Sequence, residues 1–213
     1  MSTKKSTYII LALIITSFIA GFYFFPHMPE KMASHWNIEG VVDRYTPRFL
    51  GVYTMPSMVF VLFLLFLIIP KIDPLKANIE IFRRYYNGFI VTLSVFLSYV
   101  YALSISWNLG LTFDMTRFIL PAVGGLLYYI SVLLGHAERN WFIGIRTPWT
   151  LSNENVWKKT NKLGSKLFKG IAALTIVGVL IPNQIVWIVI TPAILVILYV
   201  IIYSYLEYQK ETK

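Results

Sequence analysis

The chain has 213 residues, of which 57% are hydrophobic and 14% charged, with 19 Lys and Arg against 10 Asp and Glu for a net charge of +9. Water-soluble domains carry roughly a quarter charged residues, so this composition excludes an ordinary soluble domain and calls for lipid as the solvent. There is no cysteine, hence neither a disulfide framework nor a thiolate metal site.

A hydrocarbon core about 30 Å thick requires about 20 mostly apolar residues per helix, because backbone polar groups left unpaired in lipid are too costly. The first such run is 7–25, free of charge and rich in Ile, Leu and Phe, which together supply on the order of −3 to −7 kcal/mol of insertion free energy. Lys4 and Lys5 before it raise the rival reading of a cleaved signal peptide. The run is too long for an h-region, however, and ends in Phe24-Phe25-Pro26 rather than small residues, so it reads as a retained anchor. Five further runs follow at 50–69, 85–107, 118–135, 170–181 and 185–205. The fifth reaches full length only if its helix starts near Leu163, with Lys166 and Lys169 snorkelling to the interface. The turn Pro182-Asn183-Gln184 separates it from the sixth. Pro56, Pro121 and Pro192 fall inside spans or near their ends, where a kink is the ordinary outcome. The expected fold is an all-α, polytopic transmembrane bundle of about six spans. It divides into a region 1–70, a loop and third span at 71–115, and a region 116–213.

Lys and Arg gather on one side. With the N-terminus inside, the inner segments hold residues such as Lys4, Lys5, Lys71, Lys76, Arg83, Arg84, Arg139, Arg146, Lys158, Lys159 and Lys210, and the outer ones only Lys31, Arg44, Arg48 and Arg117. Positively charged short loops stay cytoplasmic, which predicts a multi-pass protein of the plasma membrane with both termini in the cytoplasm. The net charge then reads as topology and attraction to anionic lipid. No direct nucleic-acid partner is expected, because no basic surface with interleaved aromatics lies in a soluble domain.

Two loops carry more chemistry than a connector needs. In the outer loop, Pro26 and Pro29 forbid continuing the helix, and Asn37 and Gly40 tolerate turn geometry, so an ordered cap is expected. His27, His35 and Asp43 offer a metal or pH-sensing set. The favoured alternative has His35 and Trp36 packed on helix ends, with Asp43 paired to Arg44 or capping a turn, and no metal. The inner loop, 136–168, is punctuated by Gly144 and Pro148. Ser152 looks like the N-cap of a following helix with Glu154 in its first turn. That helix sets Val156, Trp157, Thr160, Leu163, Gly164, Leu167 and Phe168 against Lys158, Lys159, Lys162 and Lys166. It is expected to lie in the headgroup region before turning into the fifth span. Its loop is either an interfacial elbow or, on a sharper reading, a docking surface for a cytoplasmic partner or a buried gate, and Arg146 between Trp141 and Trp149 offers donors and stacking faces.

These loops resemble known families. Pro26, Met28 and Pro29, followed by His35-Trp36-Asn37, Gly40 and Asp43, resemble the membrane domain DUF1648. Gly144-Ile145-Arg146-Thr147-Pro148-Trp149-Thr150-Leu151, with Val156-Trp157 and Asn161, is similar to the signature of the SdpI immunity-protein family. The resemblance implies a membrane protein, not an enzyme and without cofactor, that protects its bearer from a secreted toxic peptide. It also implies signalling, by holding a cytoplasmic transcriptional repressor at the membrane. Arg146, Thr147, Pro148, Trp149, Thr150, Trp157 and Asn161 are then candidates for partner binding or signalling. Pro29, His35, Trp36, Asn37, Gly40 and Asp43 are candidates for the outer ligand. The alternative function is a small transporter or exporter, against which stands the scarcity of ionisable residues within the spans. Ser94, Ser98, Ser104 and Ser106 in the third span lack a companion base and are expected to pack or bond to backbone. No phosphate-binding, dinucleotide, zinc-protease or serine-hydrolase motif is present.

Overall fold

The computed structural model describes residues 1–37 and 39–212. Eight α-helices run in the order α1 (Thr3–Phe24), α2 (Arg48–Ile72), α3 (Lys76–Ile81), α4 (Arg83–Asn108), α5 (Met115–Leu134), α6 (Pro148–Ser152), α7 (Glu154–Leu180) and α8 (Thr191–Glu211). Strands β1 (Lys31–Trp36) and β2 (Val42–Pro47) lie between α1 and α2. The helices α1, α2, α4, α5, α7 and α8, some extended by a short flanking turn, are each long and apolar enough to cross a membrane. The chain is thus a polytopic helix bundle, and the six charge-poor runs of the sequence are its spans.

Successive spans reverse direction. The Met1 ammonium donates to the Arg84 carbonyl at 3.3 Å and Asn155 Nδ2 to Glu211 at 3.3 Å, so both termini share one end with residues 135–153. The hairpin lies at the opposite end. The core runs along the bundle axis through Ile10, Ile14, Val59, Phe63, Tyr86, Ile90 and Leu133 and closes on Trp157 beneath the loop. A second cluster at Leu120, Ile171, Ile185 and Val189 joins α5, α7 and the π-helical turn Val186–Ile190 that leads into α8. α5 and α7 approach closely where Gly124 faces Thr175, so that a Cβ on Gly124 would collide with the Thr175 hydroxyl.

The fifth span departs from expectation. α7 is continuous from Glu154 to Leu180, with no elbow in the headgroup region. Val156, Trp157, Thr160, Asn161, Gly164 and Ser165 are buried within the protein, while Lys158, Lys159, Lys162 and Lys166 are exposed. The apolar face is therefore spent on the protein interior rather than on lipid. The N-cap is also not Ser152, which belongs to α6 and returns its hydroxyl to the Pro148 carbonyl at 2.8 Å. Asn153 caps α7 by accepting from the amides of Asn155 and Val156 at 2.8 and 3.1 Å, satisfying donors that a helix start leaves free.

The outer cap is a two-stranded antiparallel sheet pairing Lys31 with Pro47, Met32 with Thr46 and Trp36 with Val42, an element absent from the all-α expectation. A two-stranded hairpin is marginal alone. Here Met28 and Met32 are buried against Val52, Tyr101 and Ile105, and Asn108 at the end of α4 clasps β1. Its Oδ1 accepts from the Ala33 amide at 2.8 Å and its Nδ2 donates to the Ala33 carbonyl at 3.0 Å. Asn108→Leu leaves both buried Ala33 groups unpaired, at a cost of about 1–3 kcal/mol. The expected outcome is a lowered thermal midpoint in detergent and faster proteolysis between β1 and β2, with helical content retained.

Candidate functional site

At the terminal end, residues 135–153 form an ordered lobe without long secondary structure. Asn140, fully buried, donates to the carbonyls of Glu138 and Ile143, both at 2.8 Å, and accepts from the amides of Phe142 and Ile143 at 2.9 and 2.7 Å. Asn161 on α7 accepts from the Ile145 amide at 2.9 Å. Trp157, also fully buried, donates its indole N–H to the Ala137 carbonyl at 2.7 Å. Gly144 packs onto this pair with φ +123°, and a Cβ there would come 2.8 Å from the Trp157 ring and 3.0 Å from Asn161 Oδ1. Both the backbone conformation and the space demand glycine.

Thr147 caps α6 by accepting from the Thr150 amide, while the Thr150 hydroxyl accepts from the Thr147 amide at 2.8 Å and donates to the Ile145 carbonyl at 2.9 Å. The Thr147 hydroxyl also meets Ser204 on α8 at 3.0 Å. Asp73, buried at the end of α2, accepts from the amides of Leu75 at 2.6 Å and Trp141 at 2.9 Å, tying the lobe to the opposite side of the bundle. Lys159 bridges Glu207 and Glu211 at 3.0 and 2.9 Å, joining α7 to α8.

The inner candidates therefore divide. Thr147, Thr150, Trp157 and Asn161 are buried and hold the lobe in shape, whereas Arg146, Pro148 and half-buried Trp149 remain on its surface. Arg146 is not sandwiched by tryptophans: it donates to the Trp141 carbonyl at 2.6 Å, and Trp149 packs on Tyr205 with ring centroids 5.1 Å apart. Trp141 is half exposed beside Arg146. Asp73 and Asn140 escaped the sequence reading.

At the hairpin end, His35 Nδ1 lies 2.5 Å from Asp43 Oδ1, both largely exposed, so Asp43 pairs across the strands rather than with Arg44. His27 stands apart against Tyr23, and no three metal-ligating side chains converge among the described residues. Asn37 accepts from the amides of Glu39 and Val41 at 3.0 and 2.9 Å, and Gly40 takes φ +75°, making the tight turn. Pro29 is exposed and its carbonyl accepts from Arg48 at 3.4 Å. Trp36 packs edge-on against Trp107 at 5.5 Å. Ser34, His35, Trp36 and Asn37 form one wall of a cleft of about 450 Å³, whose other walls are apolar residues of α5 and the π-helical turn, with Val100 of α4. The outer candidates His35, Trp36 and Asn37 thus share one apolar cleft. Of the third-span serines, Ser94 is buried and the Ser98 hydroxyl has no partner among the described residues.

Such an arrangement, a six-span bundle with a lobe at each end and an apolar cleft under one of them, defines a polytopic membrane protein. Residues 136–204 match the SdpI/YfhL protein family and residues 12–60 match the domain of unknown function DUF1648. The chain is similar to Immunity protein SdpI of Bacillus subtilis (strain 168), at 25% identity over 163 residues that cover 76% of each chain. No solved structure matches it.

Gly144→Ala forces a methyl group into Trp157 and imposes φ strain, a combination worth about 1–3 kcal/mol or more. The variant is expected to lose the blue-shifted, quencher-protected component of tryptophan emission from Trp157. Gly125→Ala, where a Cβ meets open space, is expected to behave as wild type.

Proposed function

We infer that this chain is an immunity protein of the plasma membrane, a binding protein rather than an enzyme, that protects its cell from a secreted toxic peptide. The observation that carries the reading is the pair of matched regions together with similarity to Immunity protein SdpI over 76% of both chains. In this reading the hairpin faces outward, and both termini and residues 135–153 face the cytoplasm. Support comes from charge: the terminal end collects Lys4, Lys5, Lys71, Lys76, Arg83, Arg84, Arg139 and Arg146 against four Lys and Arg near the hairpin, as the positive-inside tendency requires.

The toxin meets the cleft beside His35 and Trp36, where an apolar side chain can bury itself without leaving lipid depth. The cytoplasmic lobe presents Arg146, Trp141 and Pro148, a planar cation and aromatic surface suited to a protein partner, and this is the surface for a cytoplasmic repressor. α5 spans the distance between them, with Leu120 at the cleft and Leu133 beneath the lobe. Ligand binding can shift the lobe only by favouring one of two bundle states.

Three measurements test this. A toxin-sensitive host that expresses the chain is expected to survive the toxic peptide, and membrane-inserted chain without any gain in survival overturns the reading. Arg146→Ala is expected to insert and protect as wild type while losing recruitment of the repressor to membranes; recruitment at the wild-type level removes Arg146 from that surface. Orientation is checked by single cysteines in this cysteine-free chain. One replacing Glu39 is expected to react with an impermeant maleimide on intact cells, and one replacing Trp141 only after permeabilisation.

A further inference from the structure

On the flank of the bundle below the hairpin, α1 and α2 leave a groove of about 740 Å³ walled by Phe18, Phe49, Leu50, Tyr53, Met58 and Leu62. From Phe49 to Leu62 it extends about 20 Å at 1.5 Å per residue, slightly more than one leaflet of a hydrocarbon core about 30 Å thick. Thr54 and Ser57 expose hydroxyls on the same face, although apolar residues would insert more favourably there.

Arg48, the first residue of α2, precedes Phe49 at the hairpin end of this groove and donates to the Pro29 carbonyl at 3.4 Å. Its guanidinium lies 5.6 Å from the Phe25 ring centroid, Phe25 stacks on Tyr53 at 5.9 Å, and Tyr53 in turn packs on Phe49 and Phe18 at 5.1 and 6.3 Å. The cation is thus linked through Phe25 to the aromatic residues that wall the groove. It is half-buried and makes no ion pair among the described residues, whereas Arg117 at the same end pairs with Asp114 and Arg83 at the other with Glu80. A partly desolvated charge without a counter-ion is unfavourable, and guanidinium geometry suits phosphate oxygens in particular. An anion joined to an apolar chain about one leaflet long complements both features at once.

We propose that the α1–α2 groove is a phospholipid site in which the phosphate pairs with Arg48 and one acyl chain fills the groove down to Leu62. Thr54 lies about 9 Å along α2 from Arg48 at 1.5 Å per residue, at the depth of the ester carbonyls, and its hydroxyl donates to one of them. This assignment needs only that the spans lie in lipid and is independent of any toxin.

The test is native mass spectrometry of the full chain in mild detergent, incubated with phosphatidylglycerol or with diacylglycerol of the same acyl chains. One phosphatidylglycerol is expected to remain bound, with diacylglycerol held about tenfold less, the worth of one charge-assisted contact. Arg48→Ala is expected to abolish that preference and Arg117→Ala to leave it intact. Ser57→Trp, which fills the groove without touching Arg48, is expected to lose phosphatidylglycerol retention and decides the matter if Arg48→Ala does not elute as a folded protein. Equal retention of both lipids by the wild type, wild-type retention of phosphatidylglycerol by the Ser57→Trp variant, or occupancy by an apolar peptide in place of phospholipid would overturn the proposal.

Discussion

Backbone that leaves a helix and stays buried within the protein must find hydrogen-bond partners there, and in this chain short polar side chains supply them. A carboxamide offers both donor and acceptor, so a single asparagine can replace a missing strand. Asn108 does so for Ala33 and Asn140 for its own turn, while Asn161 accepts from Ile145 and Asn37 accepts from the amides of the hairpin turn. Asp73 performs the acceptor half for Leu75 and Trp141. Each is held in place by a spanning helix or by its own turn, so the order of the helices passes into the lobes. Without these partners the unpaired groups would each cost about 1–3 kcal/mol, and neither lobe has a large core of its own to offset that.

Order in the lobes is what makes their surfaces usable. Arg146 and Trp141 stay exposed because Thr147, Thr150, Trp157 and Asn161 fix the chain beneath them. The cleft at the other end has one wall from β1 and the others from α5, α4 and the π-helical turn, and β1 is seated by Asn108 together with buried Met32. α5 and α7, packed closely enough that Gly124 touches Thr175, give the two ends a shared rigid member.

The spans are legible in the sequence because a charge-poor run of about 20 residues is stable in few settings besides lipid, and five of the six helices follow their runs closely while the fifth starts well before its run. What lies across the chain is not legible. Asp73 reaches Trp141 over 68 positions, and no local pattern announces such a contact. The hairpin is hidden because Lys31–Trp36 and Val42–Pro47 are short, lack clean alternation and follow two prolines. The elbow expected in α7 rests on a correct period with the wrong partner: the apolar stripe from Val156 to Ser165 is real, but the protein covers it. Ser152 and Asn153 are equally good caps by type, and only the geometry of α6 decides between them. The motif from Gly144 to Asn161 reads as one site, yet half of it is scaffold, since burial and not residue type separates Trp157 from Trp141.

Side-chain amides, and not intrinsic loop structure, hold the lobe at residues 135–153. Hydrogen exchange across this segment in the Asn161→Leu variant, which keeps the volume and removes the acceptor, tests it most directly. Protection at the Ile145 amide and its neighbours is expected to fall towards that of an open loop while the amides of α5 and of α7 beyond Gly164 stay slow. Protection of the segment at the wild-type level would contradict the account.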